Sequence, residues 1–525
     1  MVMEIHTGLT IAGQTLRALR RYPDRIAFSS EHSSLTYRGA VCLIGQIQAA
    51  FSRYGLKHGQ RAAILSDNSA ESWCAAVAAQ GLGLSVTWLH PKASLADHVF
   101  QIEDSCSTTL IVSAASHGER GGELTARCGD DIKMFALGRS DYAVDLLRLA
   151  EESGETSAID LANPDDVALV HYTGGTTGRS KGAVRSNRAA VSFACVSILA
   201  DIELPKIPQY LAIAPNSHAG GANILPTWHR GGTVHLIEKF EADRVLGTIE
   251  RKRINFTFVV PTMLYSLLDH SDLAATDMSS LKCIYYGAAP ASPRRLQEFI
   301  SRFGPVLSQG YGQTECYPIS VLRRDDHLTP ELLTSCGMPV ASCQVSLLDD
   351  AGNEVNADKA GEICARTPAA MDSYWQRPDL TEETIRHGWV HTGDIAYRDE
   401  RGYLFIVDRK KDLIISGGFN VYPREVEDAL TSHPAVKMAA VVGVPDEYWG
   451  EAVAAALVVD PTFKITTEAI IAHVKAQKGS IHAPKHVQFL SELPVTALGK
   501  IDKITLRKGF TLSTARQPNE RPVAT

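Results

Sequence analysis

The sequence predicts an α/β protein built from at least two domains. The chain has 525 residues, more than a single hydrophobic core normally supports. An apolar run at residues 61–65 is followed by a polar turn and a helical stretch at 72–79, the order of a βα unit around a largely parallel sheet. An apolar run at 402–407 gives way to the charged cluster 408–412. We therefore predict domains of residues 1–408 and 409–525.

Composition narrows the class of protein. Hydrophobic residues make up 45% and charged residues 21% of the chain, and the formal net charge is −7, which argues against a nucleic-acid partner. The amino terminus lacks a basic region and a long apolar stretch, and no run is long enough for a membrane span. The ten cysteines include no Cys-x-x-Cys pair, which favours buried thiols in a reducing compartment. We predict a cytoplasmic protein and leave its oligomeric state open.

The first chemical signal is a glycine-rich stretch at residues 172–182. It follows an apolar strand at 167–170 and precedes a helix that begins at Asn187. Such a loop can turn backbone N–H groups toward an anion, and a lysine adds a charge suited to phosphate. A Walker loop would need Ser or Thr after Lys181, where Gly182 stands. We predict phosphate binding over a plain flexible loop, by Thr173, Gly174, Gly175, Thr176, Thr177, Gly178 and Lys181.

Two later segments combine a strand or loop with small residues. His218 precedes Gly220 and Gly221, whose small side chains would leave volume beside the imidazole; the alternative is an ordinary loop histidine. A strand at 283–286 ends in Gly287, Ala288 and Ala289. A flat ring could lie against this turn, although a simple tight turn explains the same pattern.

Residues 310–315 give the third signal. Tyr311 stands between Gly310 and Gly312, so one face of its ring could stack on a purine. Thr314 could donate to a phosphate oxygen, and Glu315 offers the hard carboxylate oxygen that Mg²⁺ prefers. A lone glutamate would otherwise be a solvated charge.

A fourth signal is a carboxylate further along the chain. Asp394 follows a glycine at an expected strand start and could accept bonds from two ribose hydroxyls. The alternative is a turn-forming aspartate.

These motifs, in this order, resemble the adenylate-forming enzymes, which include acyl-CoA synthetases, luciferase and adenylation domains of peptide synthetases. The resemblance extends from about residue 30 to 510. Residues 311–315 match the family's Tyr-Gly-x-Thr-Glu segment. In the phosphate loop, Gly174 replaces the family's serine and Ser180 its proline, which removes a hydroxyl and a rigid residue.

The resemblance implies a fold and a set of roles. A large amino-terminal domain would carry the nucleotide and acyl pocket, and a small α+β carboxy-terminal domain would turn about a hinge at Lys411. Arg409 would contact the nucleoside, and Gly417 and Gly418 would line the pantetheine channel of coenzyme A. Independently of the resemblance, we expect Lys503 to be solvent-exposed, as lysines on a carboxy-terminal loop usually are. The residues assigned to catalysis are Lys500, Glu315, Thr173 and His218, with ATP, Mg²⁺ and coenzyme A as cofactors and Glu315 as the metal ligand.

The expected reaction joins an apolar carboxylic acid to AMP and then to coenzyme A. Fatty and aryl acids both fit, because the pocket motifs lack a basic residue. No carrier-protein domain follows, although a separate carrier protein stays an alternative acceptor. A non-catalytic nucleotide-binding regulator and a simple ATPase are the remaining alternatives.

Overall fold

The computed structural model describes residues 9–129, 131–173, 179–356, 359–410, 412–417, 419–446, 448–496 and 500–514. Its strands form four sheets, three from residues 26–409 and the fourth from residues 414–489. We number helices α1–α16 and strands β1–β27 in chain order. Predicted site residues 174–178 and Gly418, and the expected hinge Lys411, lie outside the described residues.

The first sheet has nine strands in the order β16-β15-β14-β13-β12-β10-β11-β1-β2. Its central strands run parallel, and its edges are antiparallel. The strands are β1 (Ile26–Ser29), β2 (Ser34–Thr36), β10 (Gln209–Ala212), β11 (Thr233–Leu236), β12 (Phe256–Val259), β13 (Cys283–Gly287), β14 (Leu307–Gln313), β15 (Cys316–Leu322) and β16 (Met338–Pro339).

The second sheet has eight strands in the order β19-β9-β8-β4-β3-β5-β6-β7. It is parallel from β8 to β7 and antiparallel at β9 and β19. The strands are β3 (Arg61–Leu65), β4 (Ser85–Leu89), β5 (Thr109–Ser113), β6 (Lys133–Leu137), β7 (Val144–Asp145), β8 (Val167–Thr173), β9 (Lys181–Ser186) and β19 (Ser373–Tyr374).

The third and fourth sheets have five strands each. The third is antiparallel and consists of β17 (Gln344–Leu348), β18 (Gly361–Arg366), β20 (Ile385–Arg386), β21 (Trp389–Arg398) and β22 (Leu404–Arg409). The fourth consists of β23 (Ile414–Ser416), β24 (Phe419–Val421), β25 (Val436–Asp446), β26 (Gly450–Val459) and β27 (His486–Phe489), with β27 parallel to β26.

Helices cover the sheets. In the first 409 residues these are α1 (Ile11–Arg21), α2 (Tyr37–Arg53), α3 (Ala70–Gly81), α4 (Leu95–Asp104), α5 (Ala114–Cys128), α6 (Leu146–Ser153), α7 (Asn187–Val191), α8 (Leu199–Asp201), α9 (Ile224–His229), α10 (Ala242–Lys252), α11 (Pro261–Leu268), α12 (Pro293–Phe303) and α13 (Pro378–Thr384). The fourth sheet carries α14 (Pro423–Ser432), α15 (Thr467–Lys478) and α16 (Lys503–Thr514). Among the described residues, none of the helices is both long and apolar enough to cross a bilayer.

Helix α3 shows how the first two sheets are joined. It is apolar nearly all round, and its residues from Cys74 to Ala79 are buried in one core shared by both sheets, as expected for a helix without a polar face. Just before it, the Asn68 amide donates to the carbonyls of Ala212, Ala214 and Ile237 at 3.0–3.2 Å. The carboxyl ends of strands from both sheets therefore meet, the usual place for a ligand site in such sheets.

Several predicted elements are confirmed, and two differ. Residues 61–65 form β3, residues 72–79 lie in α3, and α7 begins at Asn187. Lys181 does not lie in a loop before that helix, because residues 181–186 pair with β8 and close a hairpin around the glycine-rich stretch. Asp394 lies in the middle of β21 and not at a strand start.

Candidate active site

Asp394 is the centre of a hydrogen-bonded cluster. Its carboxylate accepts from the Tyr311 hydroxyl at 2.7 Å, from Gln313 Nε2 at 2.9 Å and from Arg409 Nε at 3.1 Å. Asp394 is only 4% exposed. Burial, and then the Asp394 charge, raises the pKa of Tyr311 well above its usual range, so the phenol stays a donor. The cluster brings together three predicted residues, Tyr311, Asp394 and Arg409.

Gln313 was missed by the sequence analysis. It also donates to the Thr392 carbonyl at 2.7 Å, which ties β14 to β21. Tyr311 and Gln313 are two residues apart on β14, so strand alternation places them on one face. The two-residue spacing from Tyr311 was the sequence signal by which Gln313 could have been found.

The small residues at the end of β13 are explained by the conformation and packing of the backbone. A Cβ at Gly287 would lie 2.4 Å from the Gly310 carbonyl oxygen on the neighbouring strand, so only glycine allows this pairing. Ala288 has a left-handed backbone, with φ of 67°. A tight turn therefore explains the pattern, and contact of Gly287, Ala288 and Ala289 with a nucleotide stays a prediction.

The glycines beside His218 also have a different role from the one expected. A Cβ at Gly220 would lie 2.2 Å from the Ala214 carbonyl oxygen, and one at Gly221 would lie 2.1 Å from that of Asn216. The expectation that they leave volume for a ligand is wrong, because the space beside each is filled by the loop's own backbone.

Glu315 and Lys181 meet at the ring of Tyr374. The Tyr374 hydroxyl donates to Glu315 Oε1, and Lys181 Nζ lies 5.2 Å from the centroid of the same ring. Thr173 pairs with Lys181 across the hairpin. Burial, and then Glu315, raises the pKa of Tyr374. Tyr374 was missed, because no local pattern relates it to a glutamate 59 residues away.

A buried arginine holds the backbone beside this glutamate. Arg185, 5% exposed, donates to the Thr314 carbonyl at 2.6 Å and to the Ala369 carbonyl at 3.2 Å. Through these bonds the second sheet fixes the turn that carries Thr314 and Glu315. The half-buried Glu315 carboxylate, with one oxygen bonded to Tyr374, has the hard oxygen chemistry of a magnesium ligand.

The charge of Lys500 acts on the ring of His218. The His218 imidazole bonds through Nδ1 with Ser217 Oγ at 2.9 Å. Burial chiefly lowers its pKa, then the neighbouring His171 and His90, and then the positive charge of Lys500. The charge of the predicted lysine therefore acts on the ring predicted to line the acid pocket. His90 and His171 were missed.

The fourth-sheet domain is attached to the rest of the chain through α14 and the residues that directly follow this helix. Arg294 of α12 donates to the carbonyls of Pro434 and Val436 at 3.1 and 3.0 Å. Arg424 of α14 donates to the Ala291 carbonyl at 3.0 Å.

Lys503 was expected to be solvent-exposed, and this is wrong: its ammonium lies 2.8 Å from the Glu427 carboxylate, with 29% of its side chain exposed.

Gly417 lies apart from the other predicted residues. Its backbone N–H donates to the Trp449 carbonyl at 2.8 Å, and its left-handed φ of 59° favours glycine. A Cβ there would lie 2.9 Å from the Trp449 ring. Its described contacts are thus internal to the fourth-sheet domain.

Comparison with known proteins assigns both parts of the chain. Residues 16–375 match the model of the AMP-binding enzyme family, and residues 425–500 match that of the AMP-binding enzyme C-terminal domain.

Three similar proteins cover nearly the whole chain. The medium/long-chain-fatty-acid–CoA ligase FadD8 of Mycobacterium tuberculosis is 40% identical over 521 residues, covering 96% of this chain and 90% of its own. A feruloyl-CoA synthase of Amycolatopsis is 34% identical, covering 94% and 98%. The structure of the amide bond synthetase McbA from Marinactinospora thermotolerans superposes with a TM-score of 0.89 at 33% identity, covering 95% and 100%.

Proposed function

This chain belongs to the AMP-binding enzyme family, and we infer that it is an ATP-dependent acid–CoA ligase for apolar carboxylic acids. The observation that carries the inference is the assembly of Tyr311, Asp394 and Arg409 in one hydrogen-bonded cluster, in a fold in which the charge of Lys500 also acts on the His218 ring. The homology to fatty-acid–CoA and feruloyl-CoA ligases supports the reaction class.

In the first step a carboxylate oxygen attacks the α-phosphorus of ATP, and pyrophosphate leaves. Two anions must approach, so catalysis consists mainly of orientation and charge neutralisation. In our proposal Lys500 contacts the carboxylate and α-phosphate oxygens, while Lys181, Thr173 and the loop 174–178 hold the outgoing phosphates. The cluster of Tyr311, Asp394 and Arg409 holds the nucleoside.

We assign a bound Mg²⁺ to Glu315. When present, the ion would neutralise phosphate charge. Tyr374 keeps one Glu315 oxygen engaged, and Lys181 supplies a second positive charge beside it. Both features support a site for a highly charged anion.

In the second step the thiolate of coenzyme A attacks the acyl carbonyl, AMP leaves, and the thiol proton is released. Lys500 then has to give way. We propose that the domain of residues 409–525 turns about a hinge at Lys411 and brings Gly417 and Gly418 to the site. The strand β22 ends at Arg409, and the next sheet begins at Ile414, which supports this boundary.

The acid is apolar in this proposal. Ala219, next to His218, packs against the same core as Phe193, Met263 and Tyr317, so the His218 loop borders apolar side chains. Fatty and aryl acids remain the two classes, in agreement with the two relatives named above. Cytoplasmic residence also belongs to the proposal and is tested by cell fractionation.

The test is acid-dependent pyrophosphate release. We expect release with ATP plus octanoate, dodecanoate, cinnamate or ferulate and none without acid, and acyl-CoA by mass spectrometry once coenzyme A is added. Lys500→Ala should lose pyrophosphate release yet convert supplied acyl-adenylate to acyl-CoA, and Lys508→Ala, at an exposed position of α16, should behave as wild type. Phosphate release without acid would instead identify an ATPase.

A second candidate is amide synthesis, in which an amine replaces coenzyme A. The likeness to the McbA structure favours it. Supplying the acyl-adenylate with equimolar coenzyme A and a primary amine separates the two, because the thioester should dominate for a CoA ligase. Dominant amide would assign the second function.

A further inference from the structure

Three imidazoles, those of His90, His171 and His218, are in contact with His218 at the centre. The ring centroids of His171 and His218 lie 4.6 Å apart, those of His90 and His218 lie 4.9 Å apart, and both contacts are edge to face. His171 belongs to β8, and His90 directly follows β4. Because β4 and β8 are parallel neighbours, their carboxyl ends bring both rings into contact with His218.

The hydrogen bonds of the three rings differ. His218 is engaged with Ser217, and His90 Nδ1 accepts from the Lys92 N–H at 3.1 Å. The ring nitrogens of His171, in contrast, make no hydrogen bond to another residue of the described ranges. Half-buried polar groups in a ligand site normally have a partner, so His171 has donor capacity for a ligand.

The position of His171 on β8 also supports a role near the groups proposed to bind phosphate and acid. Residues of β8 alternate between buried and half-buried, and His171 and Thr173 share the half-buried face. Thr173 pairs with Lys181 at the start of the glycine-rich stretch. His171 therefore shares a strand face with Thr173, at the predicted phosphate end of the site, and its ring contacts His218.

His98 and Arg120 hold the turn that carries His90. The His98 ring donates from Nε2 to the His90 carbonyl at 2.9 Å, and Arg120 donates to His98 Nδ1 at 3.1 Å. Arg120 also donates to the Ala93 carbonyl at 3.2 Å. The turn after β4 is thus held in one conformation, and the His90 ring is fixed against His218.

All three rings are neutral near pH 7. Burial lowers the pKa of His90 and of His171 to about 4 and that of His218 well below its usual value. A neutral imidazole N–H can orient a carboxylate without the full ion pair that would reduce its nucleophilicity. Lys500 then supplies the positive charge only when the fourth-sheet domain is in place.

We propose that His171 binds the carboxylate of the acid through a ring N–H, beside His218, and that His90 is a positioning residue that holds the His218 ring. The inference rests on the proposed function and names two further residues for its first step. It assigns His171 to acid binding and not to ATP binding.

The test compares three substitutions at one position. His171→Phe keeps a flat ring against His218 but removes the N–H, and His171→Gln keeps a donor without the ring. We expect the KM for octanoate or cinnamate in pyrophosphate release to rise about tenfold in His171→Phe and His171→Ala, which corresponds to about 1.4 kcal/mol, close to the net worth of a hydrogen bond to a charged carboxylate. The Gln variant should recover part of this, and the KM for ATP should stay unchanged.

The control is another buried histidine outside the site. His235 of β11, 7% exposed, bonds to Gln209, and His235→Asn should keep the wild-type KM for the acid. His90→Phe should lower kcat more than it raises the acid KM, because it acts through His218. A wild-type acid KM in His171→Phe would overturn the inference while leaving the proposed function intact. A wild-type protein silent with every acid would overturn both.

Discussion

Asp394 and Arg409 face each other across strands β21 and β22, with Arg409 Nε 3.1 Å from Asp394 Oδ1. Asp394 also holds the Tyr311 hydroxyl, and Arg409 is the last residue of the three-sheet part of the chain. One carboxylate thus links the predicted nucleoside contact Tyr311 to the last residue of β22. In our proposal, nucleotide binding and the position of the second domain therefore share a group.

We expect Asp394→Asn to raise the KM for ATP at least tenfold and to leave the KM for the acid within twofold of wild type. The amide is neutral and keeps only one of the two acceptor oxygens, so its NH2 group faces either Arg409 or the pair of Tyr311 and Gln313, all of which are donors themselves. Pyrophosphate release at varied ATP measures this. Asp350→Asn, an exposed partner of Lys410, is the control, because exposed ion pairs contribute little. An unchanged KM for ATP would remove Asp394 from the nucleoside site.

The motifs that contain Tyr311, Asp394 and Arg409 could be found from the sequence because they resemble those of a family. The residues that hold these motifs in place could not be found in this way. Gln313, Tyr374 and Arg185 act through contacts with residues far away in the chain, and Tyr374 meets Glu315 only because β19 joins β9 at the edge of the second sheet. No local periodicity encodes such a meeting. The strand β9 was missed for a related reason: its six residues include two charged ones and become a strand only by pairing with β8.

The glycines illustrate a second limit. A glycine can make room for a ligand or for backbone, and the sequence does not distinguish the two. At Gly220, Gly221 and Gly287 the neighbour is a carbonyl oxygen within 2.4 Å of a hypothetical Cβ. The two-domain α/β fold, in contrast, was predictable, because strand and helix periodicities are local and recur along the chain.

We expect Tyr374→Phe to increase the Mg²⁺ concentration needed for half-maximal pyrophosphate release by about threefold or more. The substitution keeps the ring beside Lys181 but frees Glu315 from the hydroxyl that orients it. Titration of Mg²⁺ at fixed ATP is the measurement. Tyr403→Phe is the matched control, since that hydroxyl donates to Asp326 at 2.8 Å in another tyrosine–carboxylate pair. Identical Mg²⁺ curves for both variants would remove Glu315 from the metal site.

The buried histidines predict how stability depends on pH. His90 and His171 have pKa values of about 4 in the folded protein, below the 6.5 or so of an unfolded chain. The unfolded state therefore binds more protons between these values, so the free energy of unfolding falls as pH drops from about 6.5 to 4 and is retained above that window.

We expect His171→Phe to flatten this loss, because one proton-binding group of the unfolded state is gone. Urea unfolding at pH 7, 5.5 and 4.5 measures the slope. His32→Gln, at an exposed position, should keep the wild-type slope. A His171→Phe protein that loses stability with acid as steeply as wild type would mean that His171 is solvated in the folded state.

The last prediction concerns the contact that holds the two domains in the present arrangement. Arg294 donates two hydrogen bonds to carbonyls just after α14, and the charge of Lys500 acts on His218 in the same arrangement. Because these bonds are specific to one domain position, Arg294→Ala should slow acid-dependent pyrophosphate release several-fold and leave thioester formation from supplied acyl-adenylate unchanged or faster. Arg302→Ala, on the same helix but paired with Glu298, should change neither step. Equal slowing of both steps by Arg294→Ala would mean that the contact stabilises the protein as a whole. If only the first step is slowed, equal thermal unfolding midpoints of Arg294→Ala and Arg302→Ala exclude a general loss of stability.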